Sequence, residues 1–193
     1  MNKKNLLYII LIILVTAIYY YYQGQEAHPE AEPQTDLTTQ PIYQSDKMQT
    51  LIYNLSGKLS YKITSQHAEY LENTKEAQFT APFITLYNQN NNASWNITSN
   101  FATLTNDKKL ILKGDVKLDN LLPDNQIQSI LTNNANVDLI TQIVTSNEKV
   151  TIQGTSFSST GYRLYGNLRE KKADILENVK TYYNTTTLTT PNN

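Results

Sequence analysis

Residues 109–118 read KLILKGDVKL. Leu110, Leu112, Val116 and Leu118 fall on one side of a two-residue alternation, and Ile111, Lys113, Asp115 and Lys117 on the other. A period of two marks a half-buried strand, and a glycine inside it marks a bend or a close backbone approach. Upstream, TLIYNLSGKLSYKITSQHAEYL (50–71) reads as a hairpin. Leu51 and Tyr53 take one face of its first strand, Ser56-Gly57 the turn, and Leu59, Tyr61 and Ile63 one face of its second. NQNNNASW (88–95) is a polar turn between a strand ending near Tyr87 and one starting near Trp95. TNDKKL (105–110) and TSNEKV (145–150) read as two further turns at matching places.

One phrase returns along the chain: ITSQHAEY from Ile63, ITSNFATL from Ile97, ILTNNANV from Ile130 and, more loosely, LREKKADI from Leu168. Its alanines, Ala68, Ala102, Ala135 and Ala173, are 34, 33 and 38 residues apart. Each repeat is expected to be strand, short step at the alanine, strand, turn, strand. A single such unit cannot cover its own apolar face, whereas stacked units cover one another. Two sheets folded face to face, as in a jelly roll or sandwich, bury the aliphatic faces. The first and last strands then remain free edges, and the interior can stay partly open as a groove. Past Ala173, the residues Ile175, Leu176, Val179 and Tyr183 fit a helix nearly as well as a strand. The repeat register makes this segment the last strand, with Ala173, Ile175, Val179 and Tyr183 on one face.

The amino terminus differs in kind. MNKKNLLYIILIILVTAIYYYYQ carries Lys3 and Lys4, then no charge and no proline from Leu6 to Tyr22. That run of about 17 residues is at the short end for crossing a bilayer as a helix. Bulky Tyr19 to Tyr22 stand where a signal peptidase needs small residues, so a retained anchor over 1–24 is expected. The two lysines place its amino end in the cytoplasm, with the bulk of the chain on the far side of the membrane. Residues 25–41, with Pro29 and Pro33, read as a flexible tether. The folded domain is expected over 42–184, and a disordered tail over 185–193.

Chemistry-bearing motifs are sparse. Cysteine is absent, and a net charge of -1 gives no case for nucleic acid. His28 falls in the tether, and His67 stands beside Ala68 without a second histidine. Asp115, Asp119 and Asp124 flank a turn that lacks the glycine and closing glutamate of a calcium loop. No nucleophile elbow, phosphate loop or metalloprotease motif is present, so neither a cofactor nor an enzymatic activity is expected. Arg163, Arg169, Lys171 and Lys172 make a mildly basic late segment that reads as a solvated face or as a contact for ligand phosphates.

Four longer runs carry a resemblance: TLIYNLSGKLSY (50–61), FATLTNDKKLILKGDVKLDNLLPD (101–124), TNNANVDLITQIVTS (132–146) and VTIQGTSFSSTGYRLYGNLREKKADILENVKTYY (150–183). Together the chain from about Ile42 to Asn184 resembles the LptC family of lipopolysaccharide export proteins. The resemblance implies an open, twisted β-jellyroll of repeated antiparallel units behind one inner-membrane helix. It implies a non-enzymatic role beside an inner-membrane ABC transporter (LptB, LptF and LptG), which is contacted through the anchor and the N-terminal edge. Lipopolysaccharide would be received in an apolar groove and passed to the bridge protein LptA, stacked on the C-terminal edge. Positions matching the family's lipopolysaccharide contacts are Met48, Phe79, Ala173 and Tyr183. Gly154 matches a glycine needed for docking the bridge protein. The competing reading is a membrane-anchored structural or adhesive β-domain with a closed core, binding protein or glycan partners.

Overall fold

The computed structural model describes residues 12–21, 42–123 and 126–184. The chain divides into two units, Met1–Thr38 and Thr39–Asn193. In the first, residues 12–21 form helix α1, which contains no charged residue. The Thr16 hydroxyl donates back to the Ile12 and Ile13 carbonyls at 3.0 and 2.9 Å, so it brings no unpaired polar group to an apolar helix. Among the described residues no helix is long and apolar enough to cross a membrane. The rest of the expected anchor, the tether at 25–41 and the tail at 185–193 lie outside the described residues.

The second unit is all-β. Its strands are β1 (Tyr43–Tyr53), β2 (Leu59–Leu71), β3 (Glu76–Thr80), β4 (Phe83–Tyr87), β5 (Ala93–Thr98), β6 (Phe101–Leu104), β7 (Lys109–Asn120), β8 (Ile127–Asp138), β9 (Ile143–Gly154), β10 (Phe157–Asn167) and β11 (Lys172–Tyr183). All eleven belong to one sheet, antiparallel in every pairing. The topology is a plain meander. β3 and β4 are two halves of one pass along β2, and β5 and β6 are two halves of the pass that follows. β1 pairs with β2, and β11 pairs with β10. Each therefore leaves its outer edge free within the described sheet.

Every pass bends near its middle. Left-handed backbone occurs at Lys47 (φ 55°) in β1, Ala81 (φ 48°) between β3 and β4, Gly114 and Asp115 (φ 76° and 48°) in β7, Arg163 (φ 60°) in β10 and Asn178 (φ 52°) in β11. The pairing register slips at the same level between β7 and β8, β8 and β9, β9 and β10, and β10 and β11. These left-handed residues and register slips align across the sheet as a crease, and the sheet folds along it into two layers. A side chain at Gly114 would strike Asn100 at 2.7 Å, which explains the glycine within KLILKGDVKL.

The recurring phrase encodes a strand that crosses this crease. Ile63, Ile97 and Ile130 are core residues on one side of it, and Ala68, Ala102 and Ala135 are core residues on the other. Ser65, Ser99 and Thr132, third in each phrase, are buried at the bend. Bending unpairs backbone groups, and nearby hydroxyls recover some of them. Ser99 donates to the Phe101 carbonyl at 2.9 Å, Thr132 to the Lys149 carbonyl at 3.0 Å, and the Glu148 amide donates to Ser146 Oγ at 3.1 Å. Past the crease, Ala68 pairs with Phe79, Phe79 with Ala102, Ala102 with Leu112, and Leu112 with Ala135. Small and large side chains thus alternate along one rung and interdigitate.

The structure departs from the sequence expectation at four points. The expected step lies at the hydroxyl, not at the alanine, because β2 and β8 run on through Ala68 and Ala135. The fourth copy of the phrase is not equivalent: Leu168 to Ile175 rounds the β10–β11 hairpin instead of crossing the crease. TSNEKV is the bend inside β9 and not a turn; the turn in that repeat is Leu139–Gln142. In β1 the pairing with β2 turns Met48 and Ile52 toward the core, leaving Leu51 and Tyr53 exposed. The segment after Ala173 is the expected last strand, β11.

Hairpin tips share a local chemistry that explains the wealth of asparagine. The Asn54 carboxamide accepts from the Ser56 and Lys58 amides, and Asn88 accepts from Asn90 and Asn92. Asp138 accepts from Ile140 and Thr141, and Asn167 from Arg169 and Glu170. Each side chain closes a turn by standing in for a backbone acceptor.

Candidate functional site

Between the layers the interior is filled. Ile63, Ile84, Leu86, Trp95, Ile97, Leu110, Leu112, Leu118, Ile130, Val137 and Val144 are all buried below 2% exposure. The layers are also stitched: Trp95 Nε1 on β5 donates to the Leu168 carbonyl on the β10–β11 turn at 2.9 Å. The groove expected from the sequence is therefore not an empty channel through the domain. Its apolar inward surface comes open at the two margins of the sheet. Met48 and Ile52 on β1, Phe157 on β10, and Ala173 and Ile175 on β11 pack against the core while only partly covered.

The expected site residues distribute accordingly. Met48 lies opposite Ser65 and lines a cleft of about 340 Å³ with Gln49, Thr64 and Ala81. Phe79 sits deep in the core, flanked across strands by Ala68 and Ala102. Ala173 lies opposite Gly166 on the other margin. Tyr183 ends β11 opposite Phe157, with ring centroids 6.5 Å apart, and is 73% exposed. Gly154 ends β9 opposite Ile127. Its α-carbon is covered by the Phe157 ring, since an added Cβ would stand 2.1 Å from Cε1. The fold thus joins Gly154, Phe157 and Tyr183 into one cluster, in which Phe157 and Tyr183 border a cleft of about 470 Å³ with Gln126 and Thr181. Met48 and Phe79 belong to strands at the other end of the meander.

Phe157 was not singled out from the sequence. Its signal is a strand-ending glycine followed three residues later by an aromatic that can lie over the bare backbone.

At the β1 margin a histidine stands between two carboxylates. His67 Nδ1 is 2.7 Å from Asp46 Oδ1, and its Nε2 is 3.1 Å from Glu69 Oε1. The hydrogen bond to Asp46, then the one to Glu69, raise the His67 pKa above the ordinary histidine value. As imidazolium it donates from both ring nitrogens and ties edge strand β1 to β2; once neutral it can donate from only one. Because the folded value is raised, the stabilisation is complete below the unfolded value, about 6.5. It is lost as pH climbs through the folded value. After correction for intrinsic exchange, amides of β1 from Ser45 to Thr50 should exchange faster relative to those of β8 at pH 8.5 than at pH 6. His67→Gln should abolish that difference; an unchanged difference in the variant removes the histidine from the explanation.

Among the described residues no group of three or more His, Cys, Asp or Glu side chains is arranged to hold a metal ion.

The profile of the family "Lipopolysaccharide-assembly, LptC-related" matches residues 9–184. The lipopolysaccharide export system protein LptC of Escherichia coli K12 is 42% identical over 143 residues, covering 74% of this chain and 75% of that protein. LptC of Shigella flexneri matches to the same extent. LptC of Haemophilus influenzae is 39% identical over 160 residues, covering 74% of this chain and 77% of that protein. With a family profile spanning nearly the whole chain and relatives above 30% identity over most of it, the chain belongs to the LptC family.

Proposed function

We propose that this protein is a non-enzymatic component of lipopolysaccharide export. In this reading residues 1–24 anchor it in the inner membrane with the amino end cytoplasmic, 25–41 are a tether, and 42–184 stand in the periplasm, followed by a free tail. It receives lipopolysaccharide from the ABC transporter of LptB, LptF and LptG and passes it to LptA. Energy comes from the partner ATPase. The observation that carries the reading is a single folded sheet that is unsealed at both margins, with apolar inward side chains partly uncovered there.

The physics supports it. Acyl chains need shelter, at about 0.8 kcal/mol per buried methylene. A permanently closed cavity would retain several chains too firmly for onward movement. Open margins let chains enter laterally while the sugars stay in water. Since the interior is filled at rest, entry requires the layers to part along the crease, where buried Ser65 Oγ finds no hydrogen-bond partner and aliphatic packing is interrupted. Free edges β1 and β11 provide backbone donors and acceptors for strand addition by partners.

The filled interior favours the second reading, an anchored structural or adhesive β-domain. A photo-crosslinking residue at Ala173 and, separately, at Phe79 in intact cells distinguishes the two. Adducts with lipopolysaccharide are expected at both positions, the Ala173 adduct forming more readily because that margin is open. Silence at both positions leaves the adhesive domain standing.

A further inference from the structure

The crease brings the hairpin tips of one layer over the far end of the other. A cleft of about 620 Å³ opens there, walled by the β1–β2 and β4–β5 turns on one side and by Lys108, Ile140, Gln142 and Arg169 from the β6–β7, β8–β9 and β10–β11 turns on the other. Its floor is apolar, with Ile52, Leu59 and Leu139, and its rim carries Tyr53, Tyr87 and the amides of Asn88 and Gln89.

The charged residues that line this cleft are of one sign. Its lining includes Lys108 and Arg169 and no carboxylate. Lys58 adds a third cation at the mouth, its Nζ donating to the Gln89 carbonyl at 2.9 Å. The nearest acids in sequence are committed elsewhere. Asp107 pairs with Lys109, Asp138 accepts the Ile140 and Thr141 amides, and Glu170 pairs with Lys172. Arg169 Nη2 donates to the Ile140 carbonyl at 2.8 Å, which holds the guanidinium at the rim. One donor is used in this way, and a guanidinium has five. Among the described residues neither Lys108 nor Arg169 makes an ion pair. Tyrosine faces with side-chain amides suit a sugar ring, and a fixed guanidinium beside an ammonium suits a phosphate.

We propose that this cleft binds a phosphorylated saccharide. Resting on the export reading above, the ligand is the phosphorylated sugar portion of lipopolysaccharide, held at the layer mouth while the acyl chains occupy the margins. An acyl-free sugar phosphate shares the same chemistry, so the test separates the two.

The full chain in detergent is titrated with three probes: a deep-rough lipopolysaccharide, its deacylated phosphorylated oligosaccharide, and that oligosaccharide after dephosphorylation. The wild type should bind the phosphorylated oligosaccharide at least ~10-fold more tightly than the dephosphorylated one, as expected for charge-assisted hydrogen bonds. Lys108→Asn with Arg169→Gln should erase that preference. Both positions are turn residues, and asparagine tolerates the left-handed φ of 63° at Lys108. Crosslinking of lipopolysaccharide at Ala173 should persist in the double variant. Tighter binding of whole lipopolysaccharide than of its oligosaccharide assigns the lipid as the source; equal binding assigns a free saccharide and keeps only the cleft. Equal affinity of the wild type for the phosphorylated and dephosphorylated probes overturns the proposal, as does a preference that survives in the double variant. Failure at Ala173 and Phe79 sinks the export reading alone, because the oligosaccharide titration does not depend on it.

Discussion

Trp95→Ala should produce the largest loss of stability available to a single substitution in this domain. Trp95 is 1% exposed, and its indole N–H reaches from β5 to the Leu168 carbonyl on the opposite layer. Removing it opens a large void at the layer interface, which costs about 3–5 kcal/mol in comparable cores. It also leaves the Leu168 carbonyl without this donor, a further cost of about 1–3 kcal/mol for a buried acceptor. Unfolding midpoints fall by roughly 2–4 °C per kcal/mol in domains somewhat larger than this one, so a drop on the order of 10 °C or more is expected. Trp95→Phe separates the two contributions, because it keeps much of the volume and loses only the hydrogen bond. Thermal denaturation of both variants is the measurement. A midpoint within about 2 °C of wild type for Trp95→Ala would mean that the layers are not held together here.

Gly154→Arg should leave the domain folded and weaken capture of LptA by the C-terminal edge, as the proposed docking requires. The collision is with the ring of Phe157, not with backbone. A ring can swing out, so the fold survives at a cost of about 1–3 kcal/mol. Phe157 cannot move without giving up its contact with Tyr183, and the two residues form the last pair of the β10–β11 ladder. The end of the free edge then loosens where a partner strand would add. Circular dichroism should be near wild type, while pull-down of LptA should fall at least tenfold. Gly154→Ala with Phe157→Ala relieves the crowding without restoring the aromatic cover, and should recover little capture. Undiminished capture by Gly154→Arg would move the docking site away from this edge.

Much of the fold was legible because its signals are local. Leu110, Leu112, Val116 and Leu118 alternate as a strand must, and all four are buried to within 1%. The recurrence of Ile63, Ile97 and Ile130 at intervals of about two passes marked a repeat. What it meant was hidden, because a crease is a property of neighbouring strands in register and not of one segment. Ser65, Ser99 and Thr132 read as ordinary polar positions until the bend that they serve is in view. TSNEKV has turn chemistry because a bulge and a turn impose the same demand on the backbone. The site was less legible than the fold. Gly154 and Tyr183 are far apart in sequence, and only the β9–β10–β11 ladder joins them through Phe157. Leu51 and Tyr53 look inward by alternation alone, but the register of β1 against β2 assigns that side to Met48 and Ile52.

The meander has a temporal corollary. Each pass lies beside the one made just before it, so a polypeptide appearing amino end first can zip its ladder in order of synthesis, without waiting for distant partners. The clasp between Trp95 and Leu168 spans 73 residues. It cannot form until the final hairpin arrives. A chain stalled before Leu168 would carry most of its ladder as an unlatched clamshell, its greasy lining exposed to proteases and chaperones until the last turn snaps shut.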